Sequence, residues 1–327
     1  MGGYFVAQQH HAEARTACGC AAHPVSRRAV LRAGLVLPLL GAAAALTSCA
    51  SSPRPDVEPE TVMPSGNSHP KTHPTSEVAP ETLVEKPARA ERAAQVAEKY
   101  RGATPHAWGT HLPGIVERVS TAPKRLALTF DACGGTHGSL VDEALLTTLQ
   151  QEQVPATLFL NKRWIDANPQ RAQELASNSL FQIENHGSWH KPLSVHGRSA
   201  YGVVGTANVD EVVEEIEHNR TFMQEFLGVE SNWFRSGTAH YDDIAVRITQ
   251  ELGVSIAGFN VNGDAGATLP APAVSSNLLG SVPGSIVLLH MNQPSSGTAE
   301  GVGMALPQLR AAGYEFVTLG PAVPATL

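Results

Sequence analysis

The chain has 327 residues, 42% of them hydrophobic, and a formal net charge of -7, enough length and apolar content for one large cored domain with appendages. The acidic balance, without a basic stripe or a phosphate-cradling glycine-rich loop, excludes nucleic acid as a partner and a P-loop nucleotide site. Four cysteines, Cys18, Cys20, Cys49 and Cys133, with only the last in the expected folded region, exclude a disulfide framework.

Residues 1–49 read as an export signal. Arg27 and Arg28 form a twin-arginine pair, and an apolar run over 33–46 follows, short and weakly apolar for a membrane span. Leu46-Thr47-Ser48-Cys49 resembles a lipoprotein cleavage site, which implies an acylated Cys49 and a membrane tether on the outer face of the cytoplasmic membrane or in the cell envelope. The alternative is a plain secretory signal with an incidental Cys49. Cys18 and Cys20, with His23, are packed too tightly for a metal site. Residues 50–95 are rich in Pro, Ser, Thr, Glu and Ala, a composition that cannot bury enough surface to offset its ordering entropy, and read as a disordered linker. Residues 96–327 are the expected folded domain, read as a monomer.

In that domain short apolar runs alternate with amphipathic stretches. Strands are predicted at 125–130, 156–160, 180–183, 232–234, 254–259, 286–289 and 316–317. Helices are predicted at 140–150, 164–176, 209–226, 244–252 and 302–312. Strands separated by helices pair in parallel, so the fold class is α/β, a distorted (β/α) barrel with about seven parallel strands. No GxGxxG follows the first strand, which disfavours a dinucleotide-binding sheet.

Parallel barrels carry their chemistry at the C-terminal ends of the strands, and polar residues fall there repeatedly. Asp131 follows the first strand, His186 the third, Arg235 the fourth, Asn262 and Asp264 the fifth, and His290 the sixth. His186 and His190 stand four apart, on a turn expected to open into a helix, where both can face one ion. The linker holds a similar pair, His69 and His73, so strand-end position rather than spacing separates the two. Asp131 is a candidate general base or metal ligand against a turn-capping role. His290 is a candidate general acid, and Arg235 a partner holding Asp131 ionised. Trp108, Trp189, Trp233 and Tyr241 are candidates for stacking on sugar rings, weighed against packing.

Residues 120–320 resemble the polysaccharide deacetylase family, carbohydrate esterase family 4. Thr129-Phe130-Asp131 resembles its first motif, His186 to His190 its second, Phe234-Arg235 its third, Val261-Asn262-Gly263-Asp264 its fourth and Leu288-Leu289-His290 its fifth. The resemblance implies Asp131 as catalytic base, His186 and His190 as ligands of a divalent metal such as zinc, Arg235 orienting the base, Asp264 supporting the catalytic histidine, and His290 as acid. It implies removal of N-acetyl groups from amino sugars of peptidoglycan or an exopolysaccharide. The alternatives are a related hydrolase on another C–N or ester bond and a non-catalytic wall-binding protein. Ala132 stands where the family has a metal-binding Asp, which leaves water, Asp131, Cys133, His137 or His240 to complete the ligands, with Cys133 read first as a small packed residue and only second as a thiolate ligand. Ser236 to Tyr241 replaces the usual Arg-Pro-Pro-Tyr of the third motif.

Overall fold

The computed structural model describes residues 88–321. The expected signal, Cys49 and the linker up to residue 87 lie outside the described residues. Among those described, no helix is long and apolar enough to cross a membrane.

The first element, helix α1 (Arg89–Tyr100), starts seven residues before the expected boundary at 96. Its Ala, Glu, Arg and Lys are strong helix formers, and it buries Val96 and Ala97. The ordered fold therefore reaches back into the stretch assigned to the linker. There follow β1 (Trp108–Gly109), β2 (Ile115–Val116), β3 (Arg125–Ala132), α2 (Glu143–Gln151), β4 (Ala156–Leu160), α3 (Lys162–Ala167), α4 (Pro169–Ala176), β5 (Phe181–Asn185) and α5 (Val209–Leu227). Then come β6 (Trp233–Phe234), β7 (Tyr241–Asp242), α6 (Asp243–Glu251), β8 (Ser255–Ala257), β9 (Val261–Asn262), α7 (Ala271–Leu279), β10 (Ser285–His290), α8 (Thr298–Ala311) and β11 (Glu315–Val317). All the expected strands are present. The two-residue strands β2 and β9 are too short to leave a pattern in sequence. The helix expected over 164–176 is two helices, because Pro169 lacks an N–H and drives Asn168 out of helical geometry (φ -133°).

Nine strands form one parallel sheet in the order β2-β8-β6-β5-β4-β3-β10-β9, with β11 pairing the start of β3. The sheet curls into a half-barrel. A small antiparallel pair, β1 with β7, lies apart from it. The period-two alternation of strands sorts side chains into two layers. On β3, Leu126, Leu128, Phe130 and Ala132 join the cluster under the helices, while Ala127 joins Phe159, Trp233, Ala257 and Ile286 in the barrel interior. Each fully buried Leu or Phe stabilises by roughly 1.5–3 kcal/mol, so this alternation fixes the register. The inner-face series then ends in Asp131 on β3, His186 beyond β5, Arg235 beyond β6 and His290 on β10. Tight apolar packing of one face thus delivers polar residues to one rim of the other.

Candidate active site

The β3–β10 register sets His290 directly beside Asp131. Asp131 is buried, and its Oδ1 accepts from Arg235 Nη1 at 2.8 Å. Arg235 is fully buried, and its other nitrogens donate to the carbonyls of Ala257 and Gly258, each at 3.1 Å. The guanidinium lies over the Phe159 ring, 4.4 Å from its centroid. Each of its three nitrogens thus donates one hydrogen bond, which holds the guanidinium, and with it the Asp131 carboxylate, in one orientation.

Asp264 binds His290 twice. Oδ1 accepts from the ring Nδ1 at 2.9 Å, and Oδ2 from the backbone N–H at 2.7 Å. Thr298 Oγ1 donates a third bond to the same carboxylate at 3.0 Å. Burial pushes the imidazole pKa down, but Asp264 outweighs it and holds His290 well above the usual histidine range. Burial likewise pushes the Asp264 carboxyl up, and the His290 charge and hydrogen bond outweigh that, leaving it below its usual range. Asn262, its neighbour in the fourth motif, is exposed and accepts from the Ala265 N–H at 3.0 Å. The carboxylate that touches the histidine is that of Asp264.

His186 is buried, with Nδ1 2.9 Å from the Arg235 carbonyl. A carbonyl only accepts, so Nδ1 carries the hydrogen and the Nε2 lone pair faces inward, as a metal ligand requires. Nε2 lies 3.6 Å from Asp131 Oδ2. The His186 and His190 rings meet edge to face with centroids 4.9 Å apart. His190 Nε2 is buried without a hydrogen-bond partner. Two inward imidazole nitrogens, one of them orphaned, fit a bound cation. Cys133 is half-buried, and its Sγ lies 3.8 Å from His186 Nε2. Burial pushes its thiol pKa up, but the His190, His186 and His290 imidazoles outweigh that and hold it well below the usual thiol range.

The turn after His186 does not open into a helix. No helix forms between His186 and α5, because Gly187 (φ +81°) and His190 (φ +63°) are left-handed and Pro192 disfavours helical geometry at Lys191. A left-handed non-glycine residue costs of order 1–3 kcal/mol and persists only where its surroundings impose it. Here the imposing group is Glu215 on α5, a residue sequence reasoning missed. Its carboxylate accepts from the N–H groups of Trp189 and Lys191 at 3.0–3.1 Å. It leaves room only for a glycine at 187, since a Cβ there would collide with Glu215. A legible signal existed: Glu215 falls on the apolar stripe of α5 with Val212, Ile216 and Asn219. Burial pushes its pKa up to about 7, against the backbone donors at Lys191 and Trp189. From the other side Asn161 Nδ2 donates to the carbonyls of His186 and Gly187 at 2.9 and 2.8 Å.

Of the four aromatic candidates, Trp233 and Tyr241 are only 1% exposed. Trp233 packs in the barrel interior, and the Tyr241 hydroxyl accepts from the Ser236 N–H at 2.7 Å. Both are core residues. Trp189 is 40% exposed beside His190. Trp108 stacks near His240, whose Nδ1 is 2.7 Å from the Thr238 carbonyl.

Residues 118–257 match the family model described as Polysaccharide deacetylase. The chain is 25% identical over 179 residues to the uncharacterized protein YlxY of Bacillus subtilis, covering 54% of this chain and 51% of that one. It is 26% identical over 215 residues to the peptidoglycan-N-acetylglucosamine deacetylase PgdA of Listeria monocytogenes, covering 64% and 42%. It thus spans about half the length of these relatives. Among solved structures, it is 20% identical to Bacillus subtilis PdaA, a family 4 carbohydrate esterase, with a TM-score of 0.53 over 69% of this chain and 86% of that one. It is 21% identical to a family 4 pseudoenzyme from Bacillus anthracis, with a TM-score of 0.53 over 64% and 68%. The fold matches that of solved family 4 carbohydrate esterases, and the polysaccharide deacetylase model matches less than half of the chain.

Proposed function

We propose that this protein is an exported, lipid-anchored, metal-dependent hydrolase that removes N-acetyl groups from amino sugars of peptidoglycan or another envelope polysaccharide. The observation that carries this reading is the in-register pairing of a carboxylate held by Arg235 with an imidazole held by Asp264. A carboxylate and an imidazole fixed side by side place a candidate base and a candidate acid within one site.

A divalent metal, zinc in this proposal, bound through His186 and His190, supplies polarisation of the acetamide carbonyl and a more acidic water. Asp131, oriented by its hydrogen bond from Arg235, takes a proton from the attacking water. His290, protonated beside Asp264, donates a proton to the amine nitrogen as the C–N bond breaks, so acetate and a free amino sugar leave. Trp189, exposed next to His190, offers a ring for a sugar to stack on.

Export rests on Arg27, Arg28 and the apolar run after them, and the anchor on Cys49. An anchored monomer at the outer membrane face meets wall polysaccharide as its nearest substrate. A second reading, a wall-binding protein without activity, draws on Ala132, which has no donor atom, and on the likeness to a pseudoenzyme. Acetate release from an N-acetylglucosamine oligomer separates the two. Release that stops with a chelator and returns with zinc supports the hydrolase; binding of the oligomer without release under any added divalent metal favours the binder.

A further inference from the structure

We propose that Cys133 is the third protein ligand of the metal centre, binding as a thiolate in the role that Ala132 cannot fill. The inference rests on the metal-dependent reading above and specifies its coordination.

The ligand atoms of Cys133, His186 and His190 all lie within 4.8 Å of one another, the sole such group of three His, Cys or acidic residues among the described residues. On tetrahedral zinc, with Zn–S about 2.3 Å and Zn–N about 2.1 Å, a sulfur and a nitrogen are separated by roughly 3.6 Å. Cys133 Sγ and His186 Nε2 are 3.8 Å apart. A ring nitrogen of His190 is the third corner, and the Nε2 of that ring is buried without a hydrogen-bond partner.

Strand geometry explains the shift by one residue. Ala132 is the last residue of β3 and lies fully buried with Phe130 and Trp164 in the cluster under the helices. Beyond it the pleat ends. Gly134 turns the chain with φ +71°, packed against the backbone at Arg163 and Trp164, where a Cβ would clash. The Arg163 guanidinium donates to the Cys133 carbonyl at 3.2 Å. Cys133 is thereby fixed at the mouth of the barrel, with its sulfur toward the histidines.

The rival donors are engaged or remote. His240 Nδ1 is bonded to Thr238, and its ring lies between Trp108 and Tyr201. His137 is exposed, and its carbonyl accepts from Gln293. Asp131 has one oxygen on Arg235, and thiolate ligation leaves it free to act as base. A soft sulfur ligand also selects zinc over oxygen-preferring magnesium and manganese.

The test is cobalt titration of the full chain, followed by absorption. One cobalt per chain, with a near-ultraviolet thiolate-to-cobalt charge-transfer band, is expected. Cys133→Ser and Cys133→Ala should lose that band and bind cobalt at least tenfold more weakly, with circular dichroism unchanged. Cys133→Asp should recover affinity without the band. Cobalt bound to native protein without the band, and with equal affinity in Cys133→Ala, would overturn the thiolate ligand and leave the metal-dependent hydrolase standing. Native protein that binds no cobalt or zinc overturns both.

Discussion

Asp264 holds His290 at two points, the ring Nδ1 and the backbone N–H, across a sequence separation of 26 residues. The backbone contact fixes the end of β10 and the ring contact fixes the tautomer, so Nε2 is the nitrogen presented to the site. Because Asp264 outweighs burial in holding the imidazole pKa high, its charge governs the pH at which the acid is lost. Asp264→Asn keeps a hydrogen-bond acceptor and removes the charge. The alkaline limb of the rate profile should then move to lower pH by about one unit or more, each unit corresponding to about 1.4 kcal/mol. The profile of acetate release against pH measures it. An unmoved alkaline limb would take the acid role from His290.

Asp131 and His290 face each other across one rung of the β3–β10 ladder. Their removal should cost chemistry more than fold. Asp131→Asn still accepts from Arg235 but is a poor base, and His290→Ala sits at the rim rather than in the core. Each should lower acetate release by about 10²–10⁴-fold and keep the native far-ultraviolet circular dichroism. A folded variant with a near-native rate would remove that residue from the mechanism.

Arg235 contributes on both counts. It is fully buried, donates to Asp131 and to two backbone carbonyls, and packs on Phe159. Replacing it by Met leaves a buried carboxylate without its partner, a loss of about 3–5 kcal/mol. Lys restores the charge but cannot span three acceptors, so Arg235→Lys should recover only part of the stability. Urea denaturation of both variants, read with acetate release, checks the ordering. Equal stability of Met and native proteins would show that the pair carries no net weight in the fold.

The rhythm of the fold was legible because buried parallel strands are near-continuous apolar runs, and β3, β4 and β10 are such runs. Asp131, Arg235 and His290 were legible for the same reason: each is the first polar side chain after its apolar run, on the inward phase. What escaped depended on paths through space. Cys133 was among the donors the sequence offered and falls on the inward phase of Asp131, but its approach to His186, 53 residues on, is a contact through space that no local pattern shows. The route of the chain from His186 to Asn208 has no period to read. Helix α1 gains its place from packing on a core its own sequence does not announce. Trp233 and Tyr241 look like any other aromatic near a motif, and only burial separates them from Trp189.

Glu215 is where stability and site geometry meet. It is fully buried under the His186–His190 turn, with its pKa pushed up to about 7 from an ordinary 4.5. A carboxyl raised in the folded state binds its proton more tightly there than in the unfolded chain. Its contribution is therefore complete below pH 4.5 and is lost as pH rises through about 7. Over that window the loss is about 3 kcal/mol, at about 1.4 kcal/mol per unit. Glu215→Gln keeps an acceptor for the Trp189 and Lys191 N–H groups without titrating. Its unfolding free energy should be nearly flat between pH 4.5 and 7 where the native protein's falls. Glu215→Leu removes the acceptor, orphans those donors at about 1–3 kcal/mol each, and frees the strained backbone at His190. Metal affinity should then drop for Leu far more than for Gln. If Leu and Gln bind the metal alike, the carboxylate does not hold the histidine turn.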